Sequence, residues 1–416
     1  MMTRFALLAA MILLLVTTQR TSAAENWPQF RGPTGDGHTD AVGLPLTWSD
    51  EEHVAWKTPI HGRGWSSPVV WGKQIWLTTA TADGKQMFVL CVDRHTGKIV
   101  HDLKLFDNKK PRKINKLNSY ASPTPVIEKG RIYIHFGSYG TACLDTTEGK
   151  VLWTRRDLPC HHWRGPGSSP FLYGEKLIIH YDGYDFQYVV ALDKKTGKTI
   201  WKKDRDIDYG TTNGDHMKAY CTPIVIDVDG QKQLISPTSK ATVALDPATG
   251  KRLWKIPYKQ FSTTARPLFG HNLLFINTGF PKAELLAVQP GRKGSAGDPN
   301  IVWRVTKSVP SKPSQLLIDD LLYLIHDQGV ASCLDAKTGK TVWSARVGGQ
   351  YSASPIYAKG RIYCFSHEGK VTVIKSGRKY EVLAQNKLGD GFMASPAVTG
   401  KALILRSRTH LYRIEQ

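Results

Sequence analysis

Two short stretches of the chain bring together side chains that could bind or react. One is Cys160-His-His-Trp-Arg164, which places a thiol, two imidazoles, an indole and a guanidinium next to one another. The indole of Trp163 and the guanidinium of Arg164 could stack on an organic ligand and hydrogen-bond to it. Cys160 and His162, with His216, could alternatively hold a metal, and ordinary polar packing is a third interpretation. We interpret the stretch as ligand-binding and predict no metal.

The other stretch is basic. It carries six cations in thirteen residues, namely Lys104, Lys109, Lys110, Arg112, Lys113 and Lys116. Such a loop suits an acidic partner, although a merely solvated loop has the same composition. The whole chain is basic too, with 56 Lys and Arg against 35 Asp and Glu and a formal net charge of +21. An excess of this size favours contact with anionic polymers or with lipid head groups at a membrane surface.

Motifs of common enzymes do not occur in the sequence. There is no Gly-x-Ser-x-Gly elbow and no His-Glu-x-x-His zinc helix. Cys-x-x-Cys-His, which would attach a haem, does not occur either. The sequence therefore leaves enzymatic activity undecided and favours a binding protein.

The elements that must position these residues are repeats. One repeated motif, which we call a phrase, begins with Leu-Asp or Val-Asp, continues in several copies with a Thr-Gly-Lys turn, and ends with an aromatic ring three residues after the Lys. The ring is His101 in the first copy and Trp153 in the second. The Asp can accept hydrogen bonds from turn amides, and the Gly takes a positive φ that other residues resist. A large ring on the outer strand can wedge between neighbouring units. We therefore predict structural docking by the repeat tryptophans Trp56, Trp153, Trp201, Trp254, Trp303 and Trp343.

A second phrase ends in proline and opens an alternating apolar strand. Eight copies end at Pro68, Pro123, Pro170, Pro223, Pro267, Pro313, Pro355 and Pro396. A period of about 40–55 residues with four short strand signals in each unit is typical of propeller blades. The fifth and seventh units lack the Asp-Thr-Gly phrase but keep the alternation of their inner strands, so we count eight blades.

The predicted ring closes between the two ends of the chain. The last unit begins at Pro396 and lacks an outer strand, whereas His53-Val-Ala-Trp56-Lys supplies an outer strand with no inner strands before it. We therefore predict an all-β, eight-bladed β-propeller of four-stranded antiparallel blades, closed by the N-terminal strand joining the C-terminal blade. The prediction assigns residues 25–416 to this single domain.

The first residues are typical of an export signal. Arg4 precedes the apolar stretch 5–16 and the small residues 22–24, which predicts a signal peptide over 1–24 with cleavage after Ala24. The apolar run is too short to span a bilayer, and no later segment is a candidate transmembrane helix; retention of the signal as an anchor is the alternative. We expect a periplasmic or secreted protein, kept apart from most nucleic acid.

The phrase Ala191-Leu-Asp-Lys-Lys-Thr-Gly-Lys to Trp201 resembles the tryptophan-docking signature of the PQQ-like repeat family, named after pyrroloquinoline quinone (PQQ). Such repeats occur in quinoprotein alcohol dehydrogenases and in barrel-assembly lipoproteins of the bacterial outer membrane. The opening 26–37 resembles that of exported planctomycete-type propellers. By this resemblance a PQQ dehydrogenase would need a disulfide between adjacent cysteines, calcium held by Glu, Asn and Asp, and an aspartate base. The chain has no Cys-Cys pair, so we expect no cofactor, with PQQ and calcium as the alternative.

Connector lengths indicate where a partner would bind. The connectors after the first three blades (101–123, 153–170 and 201–223) are longer than later ones (254–267, 303–313 and 343–355). Because long loops on a rigid scaffold commonly carry function, we predict binding at the funnel mouth, displaced toward the first four blades. The predicted partner-binding residues are Trp65, Lys110, Arg112, Tyr120, His162, Trp163, Arg164, His216, Tyr220, Arg266, Tyr351 and Phe392. A disulfide between Cys160 and Cys221 is left open.

The function predicted from the sequence is a non-catalytic scaffold that recognises a protein or an anionic polysaccharide in the cell envelope. Adding a partner strand to an exposed blade edge would be one way to do so. The alternative is a PQQ- and calcium-dependent oxidoreductase.

Overall fold

The computed structural model describes residues 25–291 and 299–416. Within them, eight separate sheets surround one axis; each contains a four-stranded antiparallel blade, and one sheet has a fifth, two-residue strand. The innermost strands contact one another around the axis, and all strand pairs within the sheets are antiparallel apart from one short parallel addition at an inner edge. The predicted eight-bladed propeller is confirmed. The predicted signal peptide and part of the insertion before Trp303 lie outside the described residues.

Each blade runs from an inner to an outer strand. Blade one consists of β3 (Val69–Trp71), β4 (Gln74–Ala80), β5 (Gln86–Asp93) and β6 (Ile99–Asp107), and blade two of β7 (Val126–Glu128), β8 (Arg131–His135), β9 (Thr141–Asp145) and β10 (Val151–Arg155). Blade three consists of β11 (Phe171–Tyr173), β12 (Lys176–Asp182), β13 (Gln187–Asp193) and β14 (Thr199–Asp204), and blade four of β15 (Ile224–Val228), β16 (Gln231–Pro237), β17 (Ala241–Leu245) and β18 (Arg252–Pro257). A short 3-10 helix, Gly214–Met217, lies in the connector after blade three.

The second half repeats the plan. Blade five consists of β19 (Leu268–Gly270), β20 (Leu273–Asn277), β21 (Leu285–Gln289) and β22 (Asn300–Val305), and blade six of β23 (Leu316–Ile318), β24 (Leu321–Ile325), β25 (Val330–Asp335) and β26 (Thr341–Arg346). Blade seven consists of β27 (Ile356–Ala358), β28 (Arg361–Phe365), β29 (Lys370–Lys375) and β30 (Val382–Lys387), and blade eight of β31 (Ala397–Thr399), β32 (Ala402–Arg406), β33 (His410–Ile414) and β2 (Val54–Pro59). A two-residue strand, β1 (His38–Thr39), adds in parallel to β27.

Blade eight is shared between distant parts of the chain. Val54 of β2 pairs with Ile414 of β33, and Trp56 pairs with Arg413. This pairing supplies the outer strand that the C-terminal unit lacks, so the predicted closure of the ring is confirmed. Arg413 also donates to the carbonyl of Arg94 in blade one at 2.7 Å, which ties the shared blade to its neighbour.

The turns that precede the outer strands hold the rim together. Asp193 Oδ1 accepts from the amide and the hydroxyl of Thr196, both at 2.8 Å, and Gly197 takes a φ of +71°. Trp153 of the preceding blade lies against Gly197, where an added Cβ would come within 2.7 Å of the indole. Its Nε1 donates to Lys194 O at 3.1 Å. A glycine is therefore required both by the backbone conformation and by the ring that covers it.

The same contact recurs around the rim. Equivalent bonds to the next blade are Trp56 Nε1 to Arg94 O, Trp201 Nε1 to Pro247 O, Trp303 Nε1 to Ala336 O and Trp343 Nε1 to Gly377 O. Blade five, whose turn is divergent, is contacted indirectly, because Trp254 Nε1 donates to Gln233 and Gln233 donates to Gly291 O. His101 takes the tryptophan position in blade one and lies 3.2 Å from where a Cβ on Gly149 would be.

The inner strands begin two residues later than predicted in two blades. β7 follows Thr124-Pro125 rather than Ser122-Pro123, and β23 follows Ser314-Gln315 rather than Lys312-Pro313. The proline phrase was misplaced because blade two has two candidate prolines and blade six has glutamine at the strand start. The blade count is unaffected.

Candidate functional site

A ring of hydroxyl groups surrounds the axis where the inner strands begin. Its members are Ser67, Thr124, Ser169, Thr222, Ser314, Ser354 and Ser395, with Arg266 standing where the eighth hydroxyl would be. At six junctions a backbone N–H of one blade donates to the hydroxyl of the next at 2.9–3.1 Å. Small hydroxylated residues are required here because each side chain must fit between two blades and accept a bond across the junction.

The channel along the axis is filled by residues 26–37. Trp27 exchanges backbone hydrogen bonds with Val70 of blade one, and Pro28 O accepts from Ile127 of blade two. On the opposite side, the Arg31 guanidinium donates to Gln315 O at 2.7 Å. The segment therefore bonds to inner strands on several sides of the axis.

Arg266 fixes the turn of this segment. Its guanidinium donates to Phe30 O at 2.7 Å and to Pro223 O at 3.2 Å, and Gly35 packs directly against it. Burial lowers the pKa of Arg266 to about 10 and that of Arg31 to about 9. Since both values remain well above neutrality, the channel holds two buried positive charges.

Above this plug lies a funnel of about 750 Å³. Phe30 is the part of the plug that reaches it, and hydroxyls of the ring lie around its lower wall. Aromatic rings higher in the wall come from Trp65, Tyr220, Phe261 and Phe280. The carboxylates among the lining residues are Asp215 and Asp327. Because residues 26–37 close its floor, this space is a recess rather than a through-channel.

Both carboxylates of the funnel wall are already paired. Arg164 donates to the two oxygens of Asp215 at 2.6 Å, and this bond lowers the pKa of Asp215. Lys312 Nζ lies 2.8 Å from Asp327 Oδ1. The wall therefore presents hydroxyls and aromatic rings but little net negative charge.

The long connectors form one continuous layer on one side of the mouth. Asn118 Nδ2, in the connector after blade one, donates to Arg164 O at 2.8 Å. Trp65 Nε1 donates to Leu117 O at 3.1 Å, and Arg164 joins the connector after blade three through Asp215. Because each long connector bonds to its neighbour, the layer is held as a unit.

The basic stretch forms the outer part of this layer. Lys104 is paired with Asp107 at 3.0 Å. The other five cations are exposed, and none has an ion pair within residues 25–291 and 299–416; they are Lys109, Lys110, Arg112, Lys113 and Lys116. This connector therefore presents five uncompensated positive charges beside the funnel.

The structure brings only some of the predicted binding residues to the mouth. Trp65, Arg164 and Tyr220 line the funnel, and Lys110 and Arg112 lie exposed beside it. Trp163 is 47% exposed. These residues occupy one side of the mouth, as the connector lengths indicate.

The remaining predicted binding residues lie elsewhere. Tyr351 and Phe392 are 0% and 1% exposed and belong to the packed core, and Tyr120 is buried with its hydroxyl donating to Arg112 O. Arg266 is buried against the plug, and the His216 ring packs at a tilt against Phe261, with ring centroids 4.3 Å apart. Aromatic residues a few positions before an inner strand point into blade junctions as often as into the funnel, which sequence position alone does not distinguish.

Cys160 and His162 lie beneath the connector layer. Cys160 Sγ is 3.8 Å from His162 Nδ1, and burial holds the pKa of His162 well below its ordinary value. All six cysteines are free thiols, so Cys160 and Cys221 are not joined. His216 belongs to a different contact, and no group of three metal-ligating side chains occurs in the parts of the chain that the structure covers.

The hydroxyls of the ring and the floor of the funnel are not among the predicted binding residues. The signal for the ring was the Ser or Thr before most inner-strand prolines. The signal for the floor was the segment 26–37, whose glycines and single arginine allow a tight turn inside the channel. Gly32, Gly35 and Gly37 all have positive φ.

Comparison with known proteins supports this architecture. The profile of a family described as outer membrane protein assembly factor BamB matches residues 47–292 and 295–406. The chain is 31% identical over 146 residues to a quinoprotein ethanol dehydrogenase of Pseudomonas aeruginosa, covering 32% of this chain and 22% of the relative. It is 24% identical over 109 residues to BamB of Marinobacter adhaerens, covering 26% of this chain and 27% of the relative. These matches span about a quarter of each curated relative.

Solved structures show the same fold. BamB from Moraxella catarrhalis superposes with a TM-score of 0.58 at 12% identity, covering 87% of this chain and 99% of that one. The quinohemoprotein alcohol dehydrogenase from Comamonas testosteroni superposes with a TM-score of 0.66 at 12% identity, covering 95% and 81%. One of these propellers is an assembly factor and the other an oxidoreductase, so the fold alone does not choose between the two activities.

The residues present do not fit the PQQ site that the resemblance implies. That site needs adjacent cysteines, whereas the six thiols here are all buried and none lines the funnel. It also needs oxygen ligands for calcium, but Asp215 and Asp327 are each engaged by a cation of the wall.

The described residues contain no helix that is long and apolar enough to cross a membrane. With the repeats, the closed ring of eight blades and the profile match over most of its length, the chain belongs to the PQQ-like repeat propellers of the outer membrane protein assembly factor BamB family.

Proposed function

We propose that this protein is an exported binding propeller of the cell envelope, whose basic connector layer recognises an acidic macromolecular partner. The observation that carries the proposal is the set of five exposed, unpaired cations on the connector after blade one, held next to a closed funnel. Loops on a rigid scaffold are common sites of recognition. Like charges held close together on one connector repel one another in the free protein, and an anionic partner reduces that repulsion.

The arrangement of the layer supports this proposal. Because Asn118, Trp65 and Arg164 link the connectors, the cations are carried by a surface that is largely organised before a partner binds. Such organisation reduces the entropy lost on binding. The family name supports an assembly role, and we extend that role to this chain as part of the proposal.

Neutralisation of the connector cations tests the proposed function. The protein is applied to immobilised acidic polymer, with polyglutamate and polygalacturonate as the two probes, and eluted with salt. The variant Lys109→Gln, Lys110→Gln, Arg112→Gln, Lys113→Gln, Lys116→Gln should elute at markedly lower salt, with an apparent affinity at least tenfold weaker at low ionic strength.

The chain offers a matched control. The lysines that follow the turn glycines, Lys98, Lys150, Lys198, Lys251 and Lys340, are equally exposed, and changing all five to Gln removes the same net charge from the rim. This control should elute as the wild type does. If both variants lose retention equally, net charge rather than the connector layer governs binding and the proposal is wrong.

The second candidate function is a PQQ-dependent oxidoreductase, favoured by the 31% identity to a quinoprotein ethanol dehydrogenase segment. Purified protein is mixed with PQQ and calcium, and absorbance and alcohol-dependent dye reduction are recorded. Stoichiometric uptake with turnover would replace the binding proposal by this one. We expect neither.

A further inference from the structure

A small aromatic surface lies at the outer edge of the connector layer. It consists of Trp163 and His161 from the connector after blade two, and Tyr184 from the β12–β13 loop of blade three. Trp163 and Tyr184 are 47% and 36% exposed. Their ring centroids are 5.7 Å apart, and His161 lies 5.9 Å from Trp163 and 5.5 Å from Tyr184. We call these three rings the aromatic platform.

The platform is rigid. Tyr184 N donates to His161 O at 2.7 Å, and Trp163 N donates to the same carbonyl at 2.9 Å. His161 N donates to Asp185 Oδ1 at 2.5 Å. Behind Tyr184 lies Gly214 of the next connector, where an added Cβ would come within 2.3 Å of the ring. The Tyr184 ring is thus supported from behind, and both Tyr184 and Trp163 are open to solvent.

Rigid aromatic rings exposed in this way are unusual outside binding surfaces, because they leave apolar area in water that packing could have covered. Ring faces of this kind bind the flat faces of other rings or of sugars, or they bind cations. The charges around the platform distinguish among these ligands.

The basic connector brings positive charge close to the platform, and the Asp185 carboxylate that bonds His161 N is the opposing charge. Burial lowers the pKa of His161, and the nearby charges of Arg112 and Lys218 lower it further, against the opposing effect of Asp185. A cationic ligand would meet this repulsion, whereas an anionic one would be attracted. The platform is also a single cluster about one sugar residue across rather than a row of separate rings, which does not suit the successive bases of a nucleic acid strand.

Taken together, these observations point to a polymer that has both apolar ring faces and negative charge. We propose that the aromatic platform of Trp163, Tyr184 and His161 is a stacking subsite for an acidic polysaccharide, whose carboxylates or sulfates are held by the adjacent basic connector. This inference rests on the proposed function and specifies its partner. It assigns apolar contact to the platform and charge recognition to the connector.

The two roles predict separable effects. Polygalacturonate is the probe, and binding is measured by titration calorimetry at several salt concentrations. Trp163→Ala should weaken binding about tenfold, corresponding to about 1.4 kcal/mol, while leaving the dependence on salt unchanged. The variant in which the five connector cations are Gln should instead reduce the dependence on salt. Trp163→Phe should retain most of the affinity because it keeps a ring.

Val302, which is also 47% exposed but lies on the rim of blade five, supplies the control. Val302→Ala removes exposed apolar surface at a distance and should bind as the wild type does. Thermal unfolding of each variant checks that the propeller remains folded at the temperature of the titration. Equal affinity of Trp163→Ala and wild type would overturn the inference.

Comparison of probes separates this inference from the proposed function. Binding of polyglutamate but not of polygalacturonate, abolished in the connector variant, would retain the proposed function and overturn the glycan subsite. Stronger binding of a single-stranded oligonucleotide than of polygalacturonate, lost in Trp163→Ala, would also overturn it. Failure of the wild type to bind any acidic polymer would overturn both.

Discussion

The outer rim and the axis of this propeller are built on opposite principles. At the rim, one contact repeats from blade to blade: an indole lies on the turn glycine of its neighbour and donates to a carbonyl of that turn. At the axis, a single aperiodic segment fills the channel and makes a different contact with each blade it meets.

The distribution of buried charge differs in the same way. The fully buried cations of the described chain, Arg31, Arg205, Lys218, Arg266 and Arg406, all lie in the plug, the connectors or the inner junctions. The rim relies on apolar area and backbone carbonyls instead. A repeat can therefore specify the number of blades, while the one-off segment breaks the symmetry and gives the funnel a floor and a positive interior.

The largest effect should come from the rim. Trp201 is 9% exposed and lies on Gly250 of blade four. Trp201→Ala should lower the free energy of unfolding by about 3–4 kcal/mol, because it removes a large buried ring and leaves a cavity between blades. Urea unfolding followed by circular dichroism measures this. Trp201→Phe should cost much less, and equal losses in the two variants would show that the N–H bond rather than the ring area holds the junction.

Disruption of the axis should cost somewhat less. Arg266→Ala removes the hydrogen bonds to Phe30 O and Pro223 O and leaves both carbonyls buried, for an expected loss of about 2–3 kcal/mol. It should also release the floor, so that residues 26–37 exchange their amide hydrogens faster. Arg266→Met keeps most of the side-chain volume but removes the hydrogen bonds, so comparison with Arg266→Ala separates the contribution of the hydrogen bonds from that of packing. Unchanged exchange in Arg266→Ala would contradict the anchoring role.

A buried lysine in the connector after blade three should make stability depend on pH in the alkaline range. Lys218 is 0% exposed, its Nζ has no hydrogen-bond partner in the described structure, and burial lowers its pKa to about 8. The folded protein binds this proton less readily than the unfolded chain, so stability should rise as pH increases from about 8 to about 10.

The variant Lys218→Met tests this dependence. It should stabilise the protein by about 1–2 kcal/mol at pH 7 and lose that advantage at pH 10. Unfolding at the two pH values, with the exposed change Lys198→Met as control, measures the effect. A constant difference between wild type and Lys218→Met would contradict the assignment.

The smallest effect should come from a single rim turn. Bonds from Thr196 lower the pKa of Asp193 below its ordinary value. Because the folded pKa is depressed, the contribution is present above a pH of about 4 and is lost as pH falls below that. Asp193→Asn should lower the free energy of unfolding by about 1 kcal/mol or less at pH 7. Near pH 2, where the wild-type carboxyl is protonated, the two proteins should be equally stable. An equal cost at both pH values, measured by thermal unfolding, would show that the charge does not matter.

The same contrast explains what the sequence could predict. The eight proline-ended motifs recur at similar intervals and were sufficient to predict eight blades, and the outer-strand motif at Trp56 was sufficient to predict the shared last blade. Tyr351 and Phe392 were misplaced because no repeat fixes whether a ring near an inner strand faces the funnel or a junction. The floor residue Phe30 could not be placed at all, since a segment that occurs once has no second copy against which to compare it.

The pairing of β2 with β33 has a consequence for biogenesis. Translation is vectorial, so the strand Val54–Pro59 is made early and has no partner until the last blade has been produced. An incomplete chain therefore keeps an unpaired edge that remains available to chaperones and proteases. Ring closure therefore couples the two distant segments, because neither edge is covered until both strands are present.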